Sequence, residues 1–293
     1  MMLKDIDYPG PSFDASAALA AALAAAGIIP ARSAAALVVA TRDGPARAGH
    51  RDTIDFYPAS VAKLPLLVAA HAWQERGRLS SGAELDRALA AMIRESSNDA
   101  TAYIIDCLTR TSSGPELSPA ALSRWQARRW AINRYFRKGP WPGLAGCNLT
   151  NKMWADGPYG RDRQALVAGP DGRNRLTAGG IAELIWSLAR HEVVSAGRSA
   201  AMLALLERSL DAASRAAQPY NQVYGYLGAG LPKGSHLWSK AGRTSETRHD
   251  AALVRLPSGR VFVLVAFTEG RAASENESTL PTLAESVVRE IDR

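Results

Sequence analysis

Strand-forming sequence lies only near the two ends of this chain, and this distribution limits the possible folds more than any other feature. Towards the end, three strands are predicted at 237–241, 249–256 and 260–268. Pro257-Ser258-Gly259 is typical of a turn and predicts a hairpin between the last two strands. Near the start, "SAAALVVATRDGPA" predicts a strand over 33–46 that ends in a turn at Asp43-Gly44, and 53–56 predicts a second short strand.

Most of the remaining chain is predicted to be helical, because apolar residues recur there every three or four positions. The predicted helices cover Ala17 to Ala26, 62–76, 83–93, 99–108, 119–135, 177–190, 199–210 and Leu280 to Ile291. Pairing the early and late strands in one antiparallel sheet brings the chain ends together and inserts the central helices as a second lobe. We therefore predict an α/β fold in which residues 1–293 form one domain, with an α/β lobe (1–58 and 212–293) and an all-helical lobe (59–211).

One long segment, residues 136–175, shows no periodicity and is rich in glycine, proline and asparagine. A loop of this length in a compact domain is usually either functional or disordered. The side chains of Trp141, Trp154 and Tyr159 argue against disorder, because disordered segments contain few aromatic residues. We therefore expect this segment to be ordered and to serve the function.

The composition is that of a soluble globular protein, with 47% hydrophobic and 22% charged residues among 293, which excludes collagen-like and disordered classes. The net charge of +7 suits acidic small molecules or solubility. Basic and aromatic residues alternate in "RWQARRWAINRYFRK", residues 124–138, where a nucleic-acid surface and an amphipathic helix are both conceivable. The apolar residues recur at helical spacing and favour the helix, so no nucleic-acid partner is expected.

The start of the chain bears on its location. Asp5, Asp7 and Asp14 precede an alanine-rich run where an export signal would carry positive charge, so a first helix is predicted instead. No apolar run is long enough to span a membrane. We expect a cytoplasmic protein, or a periplasmic or secreted one if an export segment precedes this sequence. Cys107 and Cys147 form neither a metal-binding nor a disulfide pattern.

The stretch "DFYPASVAKLPLL" places Ser60 three residues before Lys63, at the predicted start of a helix. A serine at this position serves either as a helix cap or as a nucleophile. The nucleophile needs a base, and a lysine one helical turn away lies on the same face. Lysine can act as that base only if burial or a second cation lowers its pKa.

Two later motifs favour the nucleophile. "RESSNDATAYIID" contains Ser96-Ser97-Asn98 at a helix junction, and "WSKAGRTSE" contains Lys240-Ala241-Gly242 on a predicted strand. The ordered set Ser-x-x-Lys, Ser-x-Asn, Lys-x-Gly resembles that of the penicillin-recognising serine acyltransferases, in particular class A β-lactamases. "GRNRLTAGGIAELIWSLAR" and the strand-hairpin-strand-helix ending are similar to that family as well. The resemblance implies its two-lobed fold, with the sheet flanked by the terminal helices.

The resemblance also implies roles for individual residues, without any metal or organic cofactor. Ser60 would be acylated, Lys63 would accept its proton, and Ser96 would pass a proton to the leaving nitrogen. Asn98 would hold the substrate amide. Lys240 and Arg248 would contact the carboxylate of a small-molecule substrate, and Gly242 would belong to the same substrate-binding strand. The backbone N–H groups of Ser60 and Arg243 occupy the positions of the two oxyanion donors.

The chain also departs from the family's pattern. Ser97 stands where aspartate is usual, and Ala241 replaces a threonine or serine whose hydroxyl would bind a substrate carboxylate. The Ω-loop glutamate that activates the deacylating water has no counterpart near Arg161, where Asp162 is the nearest carboxylate. Our prediction is a β-lactamase-type serine hydrolase that opens a lactam, amide or ester through acyl-Ser60, with Lys63 serving both half-reactions if no other base exists. The alternatives are a slow-deacylating penicillin-binding transpeptidase or peptidase, or a degenerate homologue that only binds its ligand.

Overall fold

The fold is organised by a six-stranded antiparallel sheet in the order β2-β1-β6-β5-β4-β3. The computed structural model describes residues 7–10, 13–154, 157–168, 172–217 and 222–293. The strands are β1 (Ser33–Thr41), β2 (Gly44–His50), β3 (Glu207–Arg208), β4 (His236–Thr244), β5 (Thr247–Arg255) and β6 (Val261–Glu269).

The predicted pairing of early with late strands is confirmed, because β1 lies beside β6 with Leu37 opposite Leu264. The predicted hairpin between the last two strands is β5–β6, in which Arg255 pairs with Val261. Nearly every residue of β1, β5 and β6 is buried, as is typical of strands covered by helices on both faces.

Twelve α-helices cover the sheet or form the inserted block in the described part of the chain. They are α1 (Ala15–Ala25), α2 (Lys63–Glu75), α3 (Ala83–Ala90), α4 (Asn98–Thr109), α5 (Pro119–Arg129), α6 (Ala131–Arg137), α7 (Gly160–Ala168), α8 (Ala178–Ala189), α9 (Ala196–Leu206), α10 (Ala212–Ala216), α11 (Arg271–Glu275) and α12 (Thr279–Ile291). One core joins α1 and α12 to one face of the sheet, and a larger core joins α2 and α8 to the other. The mixed α/β fold class is therefore as predicted.

Three predicted elements need correction. The short strand predicted at 53–56 is reduced to a single bridge between Phe56 and Leu176. The strand predicted over 33–46 ends at Thr41, and β2 follows it as a separate edge strand of alternating exposure, which the glycine-rich sequence "GPARAGH" did not reveal. The helix predicted over 199–210 ends at Leu206 because the next two residues pair with β4.

The segment 136–175 contains structure that its irregular sequence conceals, although residues 155, 156 and 169–171 lie outside the described residues. Asparagine side chains provide order where a hydrophobic period is missing. The Asn174 carboxamide accepts a hydrogen bond from Asn151 N at 2.9 Å and donates one to Asn151 O at 2.8 Å. These bonds join two positions that are 23 residues apart in the chain.

The basic segment 124–138 contributes the end of α5 and all of α6. Trp125, Ile132 and Phe136 are buried, and most of its cations face solvent, as an amphipathic helix requires. The longest helices, α2 and α12, have 13 residues, whereas a bilayer-spanning helix needs about 20. Within the described ranges, no helix could therefore cross a membrane.

Candidate active site

Ser60 lies in a tight turn, Ala59–Ala62, that leads directly into α2. Ala59 has a φ of +44°, in the left-handed region that costs a non-glycine residue on the order of 1–3 kcal/mol. The sharp turn leaves Ser60 half-buried, with its N–H in the first turn of the helix, where intrahelical acceptors are absent. The local backbone thus presents both a hydroxyl and an N–H group at one place.

His249, on β5, tethers the segment that precedes Ser60. Its Nε2 is 2.9 Å from Tyr57 O, and its Nδ1 accepts a hydrogen bond from Thr268 N at 3.1 Å. Because Nδ1 accepts, the proton of the neutral ring is on Nε2, which donates to Tyr57. Complete burial lowers the pKa of His249 to about 4, so the ring is neutral near pH 7. A single histidine in a buried strand carried no sequence signal for this role.

Acid should weaken this tether. The folded pKa of His249, about 4, lies below the ordinary 6.5, so between these values the unfolded chain binds a proton that the folded chain does not. The free energy of unfolding should fall by roughly 3 kcal/mol from this residue as the pH drops through that window. In His249→Gln, which does not titrate but can donate and accept, that part of the slope should vanish. Urea unfolding of both proteins across the window measures it, and equal slopes would contradict the assignment.

Lys63 is fully buried and begins α2 one turn after Ser60. Its Nζ contacts three acceptors, namely Ser96 O, Ser96 Oγ at 3.1 Å and Asn98 Oδ1 at 2.9 Å. Burial lowers the pKa of Lys63 to about 7. Near neutral pH a substantial fraction is therefore a neutral amine, whose lone pair can accept a proton.

Ser96 and Asn98 are brought to Lys63 by a change in helix geometry. A π-helical turn, Ala91–Glu95, ends at Ser96, which adopts the left-handed conformation with φ of 59°. Ser97, which replaces the usual aspartate, caps α4 by accepting a hydrogen bond from Ala100 N at 3.1 Å. The break between the two helices turns the Ser96 hydroxyl and the Asn98 amide towards the lysine.

Strand β4 passes close to the nucleophile turn. A Cβ added to Gly242 would lie 3.0 Å from both Pro58 O and Ser60 N, so the close approach favours glycine. Ala241 N donates a hydrogen bond to Gln222 Oε1 at 3.2 Å, away from β5. Because backbone groups alternate along a strand, Arg243 N points to the same free edge. That the Ser60 and Arg243 N–H groups act as a pair of oxyanion donors stays a prediction.

Lys240, on β4, is fully buried, and its Nζ donates hydrogen bonds to Gln222 Oε1 at 2.5 Å and Ala241 O at 2.7 Å. Burial, and then the charges of Lys63 and Arg208, hold the pKa of Lys240 well below its usual range. Burial therefore disfavours the charged form of this amine. Gln222 was missed at the sequence level, because its importance depends on contacts between distant segments.

Arg248 is buried in β5, and its contact with a substrate carboxylate stays a prediction. Arg248 lies opposite Arg243 in the β4–β5 pair, on the opposite face of the sheet from Lys240 and Gly242. Its buried guanidinium donates to Ser274 O at 2.9 Å and Gly225 O at 3.1 Å, and it pairs with Glu277 at 3.5 Å. Arg248 is therefore bound within the fold.

Asp162, the carboxylate closest in sequence to the missing glutamate, lies on α7 and is buried. Its Oδ1 is 3.3 Å from Arg129 Nη2, and the same nitrogen is 3.1 Å from Asp106. The Asp162 carboxylate is thus engaged in a buried ion pair, and its removal would leave the Arg129 charge with one partner fewer. Elsewhere in the described ranges, His, Cys, Asp and Glu residues form no cluster that could hold a metal ion.

Comparison with known proteins agrees with this geometry. The β-lactamase from Sphaerobacter thermophilus is 20% identical, with a TM-score of 0.64, covering 94% of this chain and 97% of that one. PBP-A is 19% identical, with a TM-score of 0.65, covering 97% and 99%. A β-lactamase from Xanthomonas campestris is 18% identical, with a TM-score of 0.64, covering 94% and 97%. These likenesses show a shared fold.

Sequence comparison adds the family. No curated protein matches the chain. The family model described as the β-lactamase enzyme family matches residues 18–291, almost the whole length of the chain. The chain therefore belongs to the β-lactamase enzyme family and is a serine hydrolase of the β-lactamase type.

Proposed function

We propose that this enzyme opens a lactam, amide or ester bond of a small molecule through an acyl-Ser60 intermediate, with Lys63 as the base in both half-reactions. The observation that carries the proposal is the environment of Lys63. Its amine is fully buried, has a pKa of about 7, lies one turn from Ser60 and contacts the Ser96 hydroxyl at 3.1 Å. A base with a pKa near the working pH is the most effective kind.

In acylation, neutral Lys63 takes the proton of Ser60 Oγ while that oxygen attacks the carbonyl carbon. The N–H groups of Ser60 and Arg243 stabilise the developing oxyanion. When the carbon–nitrogen bond of a lactam or amide breaks, the leaving nitrogen receives a proton from Ser96 Oγ, which Lys63 replaces. The contacts of Lys63 with Ser96 and Asn98 support this relay, and the Asn98 side chain is also within reach of a substrate amide.

In deacylation, the proton returned through Ser96 leaves Lys63 neutral again. It can then take a proton from water as the water oxygen attacks the ester carbon, and Ser60 Oγ recovers a proton as its bond to that carbon breaks. The burial of Asp162 against Arg129 supports assigning this second step to Lys63 as well. Because a single lysine performs both steps, deacylation should be slower than acylation.

Finer features of the protein belong to the same proposal. We assign catalysis to one domain, residues 1–293, with lobes of 1–58 plus 212–293 and of 59–211. The burial of Trp125 and Phe136 supports a structural role for the basic segment, without a nucleic-acid partner. A cytoplasmic location and a carboxylate-bearing substrate are predictions from the sequence.

The experiment follows a chromogenic cephalosporin by absorbance and the intact mass of the enzyme over the same time course. We expect an adduct that forms quickly, decays slowly and yields the hydrolysed product. A permanent adduct without product would favour a penicillin-binding protein. The absence of an adduct with any β-lactam, activated ester or fluorophosphonate would contradict the proposed serine chemistry.

Replacing Asp162 separates structure from catalysis. Asp162→Asn removes the carboxylate charge beside Arg129 but keeps nearly the same shape. We expect the melting temperature to fall, because Arg129 loses the buried one of its two carboxylate partners, while the deacylation rate constant changes by less than about threefold. Single-turnover decay of the acyl-enzyme measures that constant. A loss of about 100-fold or more would identify Asp162 as the deacylating base.

A further inference from the structure

The Gln222 carboxamide is buried at the free edge of β4, beside the nucleophile turn. Its Oε1 accepts hydrogen bonds from Lys240 Nζ at 2.5 Å and from Ala241 N at 3.2 Å. Its Nε2 donates to Ile93 O at 3.0 Å and Arg94 O at 2.9 Å. Both carbonyls belong to the π-helical turn that ends at Ser96. One neutral side chain thus uses the two donors that β4 offers at this point.

We propose that Gln222 fills the anion subsite of this enzyme with its own amide oxygen, so that the enzyme selects substrates carrying an uncharged group there. The inference rests on the proposed function, because it concerns the substrate of acyl-Ser60. It narrows the substrate class to neutral amides, esters or lactams. It also replaces the carboxylate-bearing substrate expected from the sequence.

Lys240 is poorly placed to bind a substrate carboxylate. A substrate carboxylate is held best by an accessible cation, whereas Lys240 is fully buried and already donates to Gln222 and to Ala241 O. The Gln222 amide oxygen already accepts a hydrogen bond from this amine. A carboxylate there would have to displace Gln222 and lose its own hydration.

The buried cations around Gln222 already have neutral acceptors. Arg208 donates to Ile93 O at 2.8 Å, to Arg94 O at 3.3 Å and to Ser239 O at 3.2 Å. Lys63 contacts Ser96 and Asn98. The buried Arg248 guanidinium donates to Ser274 O and Gly225 O, and Ala241 has no hydroxyl to offer. These buried cations thus have acceptors without an anion.

The same contacts make Gln222 suitable for substitution. In Gln222→Ala, Ile93 O and Arg94 O still receive hydrogen bonds from Arg208. The change therefore opens the Lys240 amine and the Ala241 N–H group without stranding the two carbonyls. A carboxylate that enters the vacated space would favour the charged form of Lys240 and so bind better.

The test compares a chromogenic cephalosporin with a free carboxylate against its methyl ester, using the second-order rate constant for acylation of Ser60. We expect the wild-type enzyme to react faster with the ester. In Gln222→Ala the ratio of acid to ester rates should rise by about 10-fold or more, the value of one charged hydrogen bond. Gln222→Glu, which places an anion in the subsite, should keep the preference for the ester.

Gln74→Ala is the matched control. Gln74 is a second buried glutamine, lies on α2 and is hydrogen-bonded to Ser81 and Arg198. Its replacement should leave the ratio of acid to ester rates unchanged. A wild-type enzyme that prefers the free acid would overturn the inference, and the exposed Arg243 would then be the cation to replace. An unchanged ratio in a folded Gln222→Ala protein, or fluorophosphonate labelling of Ser60 without reaction of the ester, would also overturn it. Only a failure of every reagent, fluorophosphonate included, would contradict the proposed function itself.

Discussion

Replacing Ser60 by alanine is expected to abolish covalent labelling by β-lactams and fluorophosphonates and to lower turnover by on the order of 10⁴-fold or more. The effect should be this large because the Ser60 hydroxyl oxygen is the only protein atom in the proposal that bonds to substrate carbon. The turn that carries Ser60 is held by backbone contacts and by His249, not by the serine side chain, so the variant should fold normally.

The matched control is Ser245→Ala. Ser245 is exposed in the turn that joins β4 to β5, on the strand pair that approaches Ser60, and its loss should leave labelling unchanged. Intact mass after incubation with fluorophosphonate measures both variants in one experiment. Full labelling of a folded Ser60→Ala protein would place the nucleophile elsewhere.

Replacing Lys63 by methionine is the second large effect. Methionine keeps most of the buried volume but has no lone pair of comparable basicity, so acylation should slow by about 10²- to 10⁴-fold, as expected for loss of a general base. Lys63→Arg should be equally impaired, because a guanidinium stays charged and cannot accept the proton of Ser60. Stopped-flow acylation rates measure both variants.

The direction in which the acylation rate changes with pH tests whether Lys63 is the base. Burial places the pKa of Lys63 at about 7, and the base is the neutral amine. The wild-type acylation rate should therefore rise as the pH increases through 7 and level off above it. This rise should be missing from the residual rate of Lys63→Met. A wild-type rate that falls as the pH rises through 7 would exclude Lys63 as the base.

Much of the fold could be predicted from sequence, because its signals are local. Within 237–268, strand-forming runs are separated by turn residues. In the core helices, apolar residues recur every three or four positions. Edge strand β2 was missed because its exposed, glycine-containing sequence lacks a hydrophobic pattern. Order within 136–175 was expected from its aromatic residues, but the contacts that produce it could not be predicted, because asparagine contacts such as Asn151 with Asn174 join residues far apart in the chain.

The site could be predicted in part for a similar reason. Ser60 and Lys63 are joined by helical spacing, which a sequence reveals directly. Gln222 contacts carbonyls 128 and 129 residues earlier, and His249 contacts Tyr57 O 192 residues earlier, so neither has a local pattern. The face of the sheet on which Arg248 lies depends on the register of the β4–β5 hairpin, which spacing from Lys240 alone does not define.

The most direct test of the acyl-enzyme is to digest the protein after a short incubation with the cephalosporin, separately as free acid and as methyl ester, and to locate the adduct by tandem mass spectrometry. We expect one adduct, on Ser60, that disappears on longer incubation as hydrolysed product accumulates. An adduct on another residue, or hydrolysis of the cephalosporin by a Ser60→Ala protein at the wild-type rate, would contradict it.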